Sequence, residues 1–431
     1  MKNINESTSH LENNNFITLI LITTSYWFFM LSDGALRMLI LLYFYKLGFS
    51  PVTLAYIFLL YEFLGMATNL GAGWIAKNFG LKSILYSGMT LQILVLFFLS
   101  YAPVDWNTYI GILTIIICQG LSGIAKDLTK VSSKSAIRIL APVNKSSTLF
   151  HWTSWLTGSK NSIKGLGFFL GCLLLVFFDF EKSVLILSFI LGLLFLCILI
   201  KMPTIKEEIK GTTKLKSIFS LSKDTRINYL SVARLFLFGA RDIWFVVGIP
   251  IYFTSALTFD KRFSEDTAFL LIGIFMACWI ILYGISQALT PKIISKSLEL
   301  NPSKTINRSI SLLIIFPTII ATLSFVNGPQ PTLLFTIFIV INLLIFGFFF
   351  ALNSSLHSYL ILLFSSKEKV TLNVGFYYMS NASGRLLGTL LSGISFQIGG
   401  LTLCLFLSSF MLVFCLFFSK KIKMKEIKNN N

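Results

Sequence analysis

Residues 120–171 read GLSGIAKDLTKVSSKSAIRILAPVNKSS and then TLFHWTSWLTGSKNSIKGLGFFLG. Apolar runs flank this stretch, yet Lys126, Asp127, Lys130 and Lys134 stand at the end of one run, and Lys160 and Lys164 stand well inside the next. Ionisable groups at membrane depth are costly, so they are rare and tend to mark function. Lysines spaced by four share one helix face. Two such faces brought together would enclose an anion.

The rest of the chain supplies the membrane. Of its 431 residues 55% are hydrophobic and 13% charged, with mean hydropathy +0.79, whereas a soluble domain is about a quarter charged. Apolar runs long enough to span a bilayer recur. The spacing predicts spans at 16–45, 53–76, 83–101, 108–134, 147–178, 183–202, 227–254, 267–290, 308–327, 331–363, 370–395 and 399–419. The expected fold is an all-α polytopic membrane protein, with twelve transmembrane helices in two pseudo-symmetric six-helix bundles. Its layout is a polar tail (1–15), a first bundle (16–202), a basic linker (203–226), a second bundle (227–419) and a basic tail (420–431). Forty-three phenylalanines suit a lipid-facing exterior.

The formal net charge of +18 does not point to nucleic acid. Most of the basic excess falls in connections on one side, including Lys77, Lys82, Arg138, Lys145 and seven basic residues between 201 and 226, while the opposite loops hold only Lys46, Lys182, Lys261 and Arg262. That asymmetry places both termini in the cytoplasm and the chain in the cell (inner) membrane. The run after the N-terminal tail is too long for a cleaved signal peptide. The six cysteines lie in apolar runs without paired short spacing, so neither a disulfide framework nor a metal site is expected.

The two halves carry a weak repeat. Lys160, Lys164, Gly167 and Gly171 in span 5 match Asn381, Arg385, Gly388 and Ser392 in span 11 at a constant offset of 221. Spans 1 and 7 pair Asp33 with Asp242 and Tyr43 with Tyr252. At 1.5 Å per residue Lys160 lies about 15–20 Å inside, near the midplane. Glycines 165, 167 and 171 read first as close helix packing. For Lys160 and Lys164 the bland alternative is an internal salt bridge. Nine cations (Arg37, Lys126, Lys130, Lys134, Lys160, Lys164, Arg234, Arg241 and Arg385) face four main acids, Asp33, Glu62, Asp127 and Asp242. Internal pairing is expected to satisfy at most about half of the cations, and an unpaired buried charge is unfavourable. The surplus calls for water or an anionic ligand.

The candidate substrate-binding residues are Lys160, Lys164, Arg241, Arg385, Asn381, Arg37, Lys126 and Lys130. Asp33, Glu62, Asp127 and Asp242 are candidates for proton coupling or charge pairing. Asp33 is expected either to pair with Arg37 on its own helix or to carry a proton, and Asp127 to pair with Arg138 or a span 5 lysine. Lys126 reads equally as a snorkelling residue and Lys134 more readily as one, and His151 and His357 read as interfacial. No phosphate-cradling glycine loop, HExxH or nucleophile elbow is present, so neither enzyme activity nor a cofactor is expected.

Twelve spans around a basic central loop resemble the major facilitator superfamily. The segment from Gly73 to Lys82 resembles its glycine-and-basic signature, departing at Lys77 and Asn78, where the superfamily carries an acid and an arginine. Residues 32–38 (SDGALRM), 60–63 (LYEF), 121–136 and 157–171 resemble the organoarsenical efflux permeases of the ArsJ type. That resemblance implies export of 1-arseno-3-phosphoglycerate, a product of glyceraldehyde-3-phosphate dehydrogenase acting on arsenate. The dehydrogenase would be a functional partner without a stable complex, and membrane lipid the remaining one. Competing expectations are a proton-coupled drug or metabolite exporter and a membrane-embedded lipid-handling enzyme.

Overall fold

A computed structural model describes the backbone at residues 2–102, 105–140, 146–203, 222, 224–300, 302–328, 331–365 and 370–422. Side chains are described there except at 2–15, 70, 72–74, 76–78, 137–140, 146–154, 291, 294–300, 302–303, 327, 362 and 370–375. Most of the predicted linker 203–226 and tail 420–431 lies outside the described residues, as do the side chains of Lys77, Asn78, Arg138 and His151.

Lipid offers no hydrogen bonds, so a crossing segment must satisfy its backbone internally, and long helices result. They are α1 (Lys2–Lys46), α2 (Pro51–Tyr101), α3 (Tyr109–Leu140), α4 (Ser146–Phe177), α5 (Phe180–Lys201) and α6 (Thr225–Phe245). The second half continues with α7 (Gly248–Thr258), α8 (Glu265–Leu300), α9 (Pro302–Asn327), α10 (Leu333–Phe364) and α11 (Val370–Lys420). Among the described residues, eleven stretches are long and apolar enough to cross a membrane. The last of them, Phe376–Lys420, is 45 residues long, too long for one crossing. It folds back at Gly399 and Gly400, where Gly400 has φ 60°, a backbone state that suits glycine. Gly80, at φ 73°, similarly divides α2 into two crossings. With α6 and α7 forming one crossing between them, the described residues make twelve crossings.

The first helix begins at Lys2, and its membrane-crossing part is Phe16–Lys46. Two expectations need correction. The loop expected after span 2 is a kink at Gly80. Span 7 is broken between α6 and α7, because Pro250 has no N–H to donate to the Val246 carbonyl. Ser392 Oγ meets this break, accepting from the N–H groups of Val247 and Gly248 at 3.3 Å each.

The surface is inverted relative to a soluble protein. Phe189, Ile200, Phe325 and Leu334 lie on the outside, while Arg37, Lys126, Asp127, Arg234 and Arg241 are buried. The repeat is visible in the packing. In the first half Gly167 of α4 lies against Leu31 and Ala35 of α1, and in the second half Gly384 of α11 lies against Leu235 of α6.

The halves meet along α4 and α8, where a side-chain carbon on Gly165 would come within 2.9 Å of the Ala277 carbonyl oxygen. They also meet at the lysine-poor end of the bundle. There the Tyr45 and Ser255 hydroxyls lie 3.2 Å apart, Lys46 Nζ is 3.2 Å from Glu265 Oε2, and the Val52 N–H donates to Gln397 Oε1 at 3.4 Å. Met38, Leu42, Phe168 and Cys172 pack into the apolar core of the second half, while Val246, Val247 and Ile251 pack into that of the first.

The packing predicts opposite outcomes for two glycines. Gly165→Leu is expected to abolish monodisperse protein in detergent by forcing α4 off α8. Gly192→Ala, where the space is open, is expected to be neutral or to stabilise by about 0.5–1 kcal/mol through helix propensity. Size-exclusion profiles and thermal unfolding check both, and a well-folded Gly165→Leu protein would refute the packing argument.

Candidate functional site

Between the halves lies a cavity of about 410 Å³, a volume suited to a small molecule. Its walls come from α1 to α4 on one side and from α6, α8, α10 and α11 on the other. Most lining residues lie between the middle of their span and the basic end; Arg37 and Phe168 reach just past the middle. On α3 they are Lys126, Asp127, Lys130 and Lys134; on α4 they run from Thr157 to Phe168. The lysine-poor third is closed by the contacts between the halves described above.

All eight candidate binding residues (Lys160, Lys164, Arg241, Arg385, Asn381, Arg37, Lys126 and Lys130) line this cavity. Glu62 and Asp127 also line it, whereas Asp33 and Asp242 stand behind the wall, each bonded to a lining cation. A chain of five charges crosses the molecule. Arg37 donates to Glu62 at 2.9 Å, and Arg385 donates to the same Glu62 oxygen at 2.5 Å. Arg385 Nε also reaches Asp242 at 3.3 Å, and Arg241 Nε donates to Asp242 at 2.6 Å. The step from Glu62 to Arg385 joins the two halves. Separately, Asp33 accepts from Lys164 and from the Tyr61 hydroxyl, each at 2.5 Å.

These bonds follow the repeat. Lys164 on α4 meets Asp33 on α1, and Arg385, its counterpart on α11, meets Asp242, the counterpart of Asp33, on α6. The sequence reading had Asp33 either pairing with Arg37 or carrying a proton. The first alternative is corrected: Arg37 points to Glu62, and Lys164 takes the carboxylate. Asp127 bonds no span 5 lysine among the described residues, and its other expected partner, Arg138, has its side chain outside them. It holds Lys130 at 2.8 Å and Lys126 at 3.8 Å on its own helix, and Lys130 also donates to Asn69. Lys126 and Lys134 line the cavity instead of snorkelling. His357 is not interfacial but fully buried, with neither ring nitrogen hydrogen-bonded.

Sharing of carboxylates gives six of the nine cations an acidic partner, more than the half expected from one-to-one pairing. Nine cations against four acids still leaves a formal excess of five. Three cations have no carboxylate within reach among the described residues. Lys134 donates to the Tyr378 hydroxyl at 3.1 Å and lies 4.3 Å from that ring's centroid. Arg234 donates to Asn381 Oδ1 at 3.0 Å and to the Ser354 carbonyl at 2.8 Å. Lys160 lines the cavity and has no hydrogen-bond or ion-pair partner among the described residues. Neutral acceptors and aromatic faces offset a buried positive charge only in part, so the cavity carries a surplus of positive charge.

The sequence reading counted Arg234 and Lys134 among the cations but placed neither at the site. Tyr61 and Tyr378, whose hydroxyls complete two of these contacts, carried no signal beyond their proximity to charged positions. Among the described residues no group of three or more His, Cys, Asp or Glu side chains is arranged to hold a metal, and the six cysteines are free thiols.

A family profile described as Major Facilitator Superfamily matches residues 22–389. Among solved structures, the nucleoside transporter NupG is 17% identical, with TM-score 0.71 over 95% of this chain and 100% of that one. A POT family transporter in complex with 5-aminolevulinic acid is 16% identical, with TM-score 0.71 over 94% of this chain and 96% of that one. Comparison with curated proteins finds no match.

The five-charge chain predicts that Glu62→Gln destabilises the protein strongly. Breaking a buried ion pair by removing one partner costs about 3–5 kcal/mol, and here two guanidinium groups lose their shared acid. Thermal unfolding in detergent measures the loss, and an unchanged midpoint would show that the chain contributes nothing.

Proposed function

Since the chain belongs to the Major Facilitator Superfamily, we propose that it is an efflux carrier for a small organic anion, 1-arseno-3-phosphoglycerate above all, working by alternating access. The observation that carries this reading is Lys160, a cation that faces the cavity with no partner among the described residues. A neutral or cationic cargo leaves that charge, and the surplus around it, uncompensated. A cargo with an anionic group at each end supplies what both walls lack.

With both termini cytoplasmic in the inner cell membrane, the cavity faces the compartment where the cargo is made. Glyceraldehyde-3-phosphate dehydrogenase acting on arsenate supplies it, with no stable complex between the two proteins. Moving an anion outward against an inside-negative potential is downhill by about 2.3 kcal/mol per charge per 100 mV, so export needs little added coupling. The outcome for the cell is arsenate resistance.

In an arsenate-sensitive host that also expresses the dehydrogenase, this chain is expected to restore growth on arsenate. Lys160→Gln is expected to remove that protection while leaving the amount of protein in the membrane unchanged. Equal survival of the variant, or protection that does not depend on the dehydrogenase, would overturn the reading.

A further inference from the structure

We propose that Arg234 is the seat of a second anion subsite, facing the lysine wall from the other half, and that the cargo is therefore gripped at two ends. The inference deepens the anion-export reading and rests on it. The cavity holds four arginines, and three of them have a carboxylate partner: Arg37 has Glu62, Arg241 has Asp242, and Arg385 has both. Arg234 differs. It is 5% exposed, and its only acceptors among the described residues are the Asn381 amide oxygen and the Ser354 carbonyl. Neither carries a charge.

The guanidinium is held firmly all the same. Phe238 and Tyr377 lie 4.1 and 4.9 Å from it, centroid to carbon, and fix its plane. Its Nε and one terminal nitrogen are engaged, while the other terminal nitrogen, Nη2, has no acceptor among the described residues. A guanidinium presents five donors in a rigid fork that suits carboxylate or phosphate oxygens. Arg234 is thus an oriented, buried, uncompensated fork on a cavity wall.

The two walls offer different chemistry. Across from Arg234, Lys160 and Lys134 present ammonium groups, compact charges without a preferred plane. The preferred ligand carries one oxyanion for the lysines and a second for the arginine fork, separated by a short backbone. Because Lys160 belongs to α4 and Arg234 to α6, such a ligand ties the two halves together. A ligand with one charged end leaves one wall unengaged. Arg385, through Glu62, links the two halves, while Arg241 is held by Asp242 on its own helix.

The test compares two ligands on the purified full-length chain in detergent, by calorimetry at fixed salt. Glycerol 3-phosphate has one anionic end and 3-phosphoglycerate has two. The unmodified chain is expected to bind the two-ended ligand about 10–100-fold more tightly, the usual range for hydrogen bonds to a charged group. Arg234→Gln is expected to bring that ratio close to one. Asn381→Asp is a second route that keeps the arginine: it sets a carboxylate where the amide oxygen stands 3.0 Å from Nε, fills the fork, and is expected to lower the ratio in the same way. Lys160→Gln weakens both ligands together. A ratio that survives both Arg234→Gln and Asn381→Asp, or a ratio near one in the unmodified chain, overturns the second subsite and leaves the anion reading standing. Failure of the unmodified chain to bind either ligand overturns both.

Discussion

Positive charge buried in a bilayer must be answered from within the protein, and the arrangement of helices around the cavity follows from that constraint. Four carboxylates answer six cations by sharing. Glu62 serves Arg37 and Arg385, Asp242 serves Arg385 and Arg241, and Asp127 serves Lys126 and Lys130. In a medium as apolar as leucine, burial of side chains drives helix association little. The ionic links and the close glycine contacts therefore carry much of the specificity with which helices find their neighbours. Glu62 is central because its second partner, Arg385, comes from the other half of the chain.

The internal repeat is symmetrical in packing and asymmetrical in charge. α4 lies on α1 as α11 lies on α6, and each pair is stitched by a cation from the later helix to an aspartate on the earlier one. One turn before each stitching cation the symmetry fails. The first half has Lys160, without a partner among the described residues, and the second has Asn381, which supports Arg234. A duplicated scaffold thereby presents two unlike faces to one cavity, an ammonium from one half and a guanidinium fork from the other.

The same scaffold fits the alternating access proposed above. The cavity occupies the middle and the basic end of the bundle, and the lysine-poor end is held shut by the Tyr45 contact with Ser255, the Lys46 pair with Glu265 and the Val52 bond to Gln397. Lys46 and Glu265 are both about half exposed, and such pairs contribute about 0–1 kcal/mol. Closure there is weak enough to be exchanged for closure at the opposite end. The glycine contacts of α4 with α8 are close packing without charge, and they suit a surface about which the halves rock.

The amino-acid sequence alone determined the membrane class, the number of crossings and the half-to-half repeat, because each depends on local composition and on a helical rise of 1.5 Å per residue. It also contained Pro250 and Gly80, the residues that break or bend spans 7 and 2, although their effect on continuity went unread. What it left open was partnership. Asp33 and Arg37 share a helix face, yet neighbouring helices supply their partners. Lys160 and Lys164 share a face too, and only one of them meets a carboxylate. Arg234 and Lys134 looked no different from the other cations. A charge pair depends on distances of about 3–4 Å, and here its members are far apart in the chain: 131 positions separate Lys164 from Asp33, and 323 separate Arg385 from Glu62. Only the packing of the helices against one another decides which of these charges are answered and which remain open to a ligand.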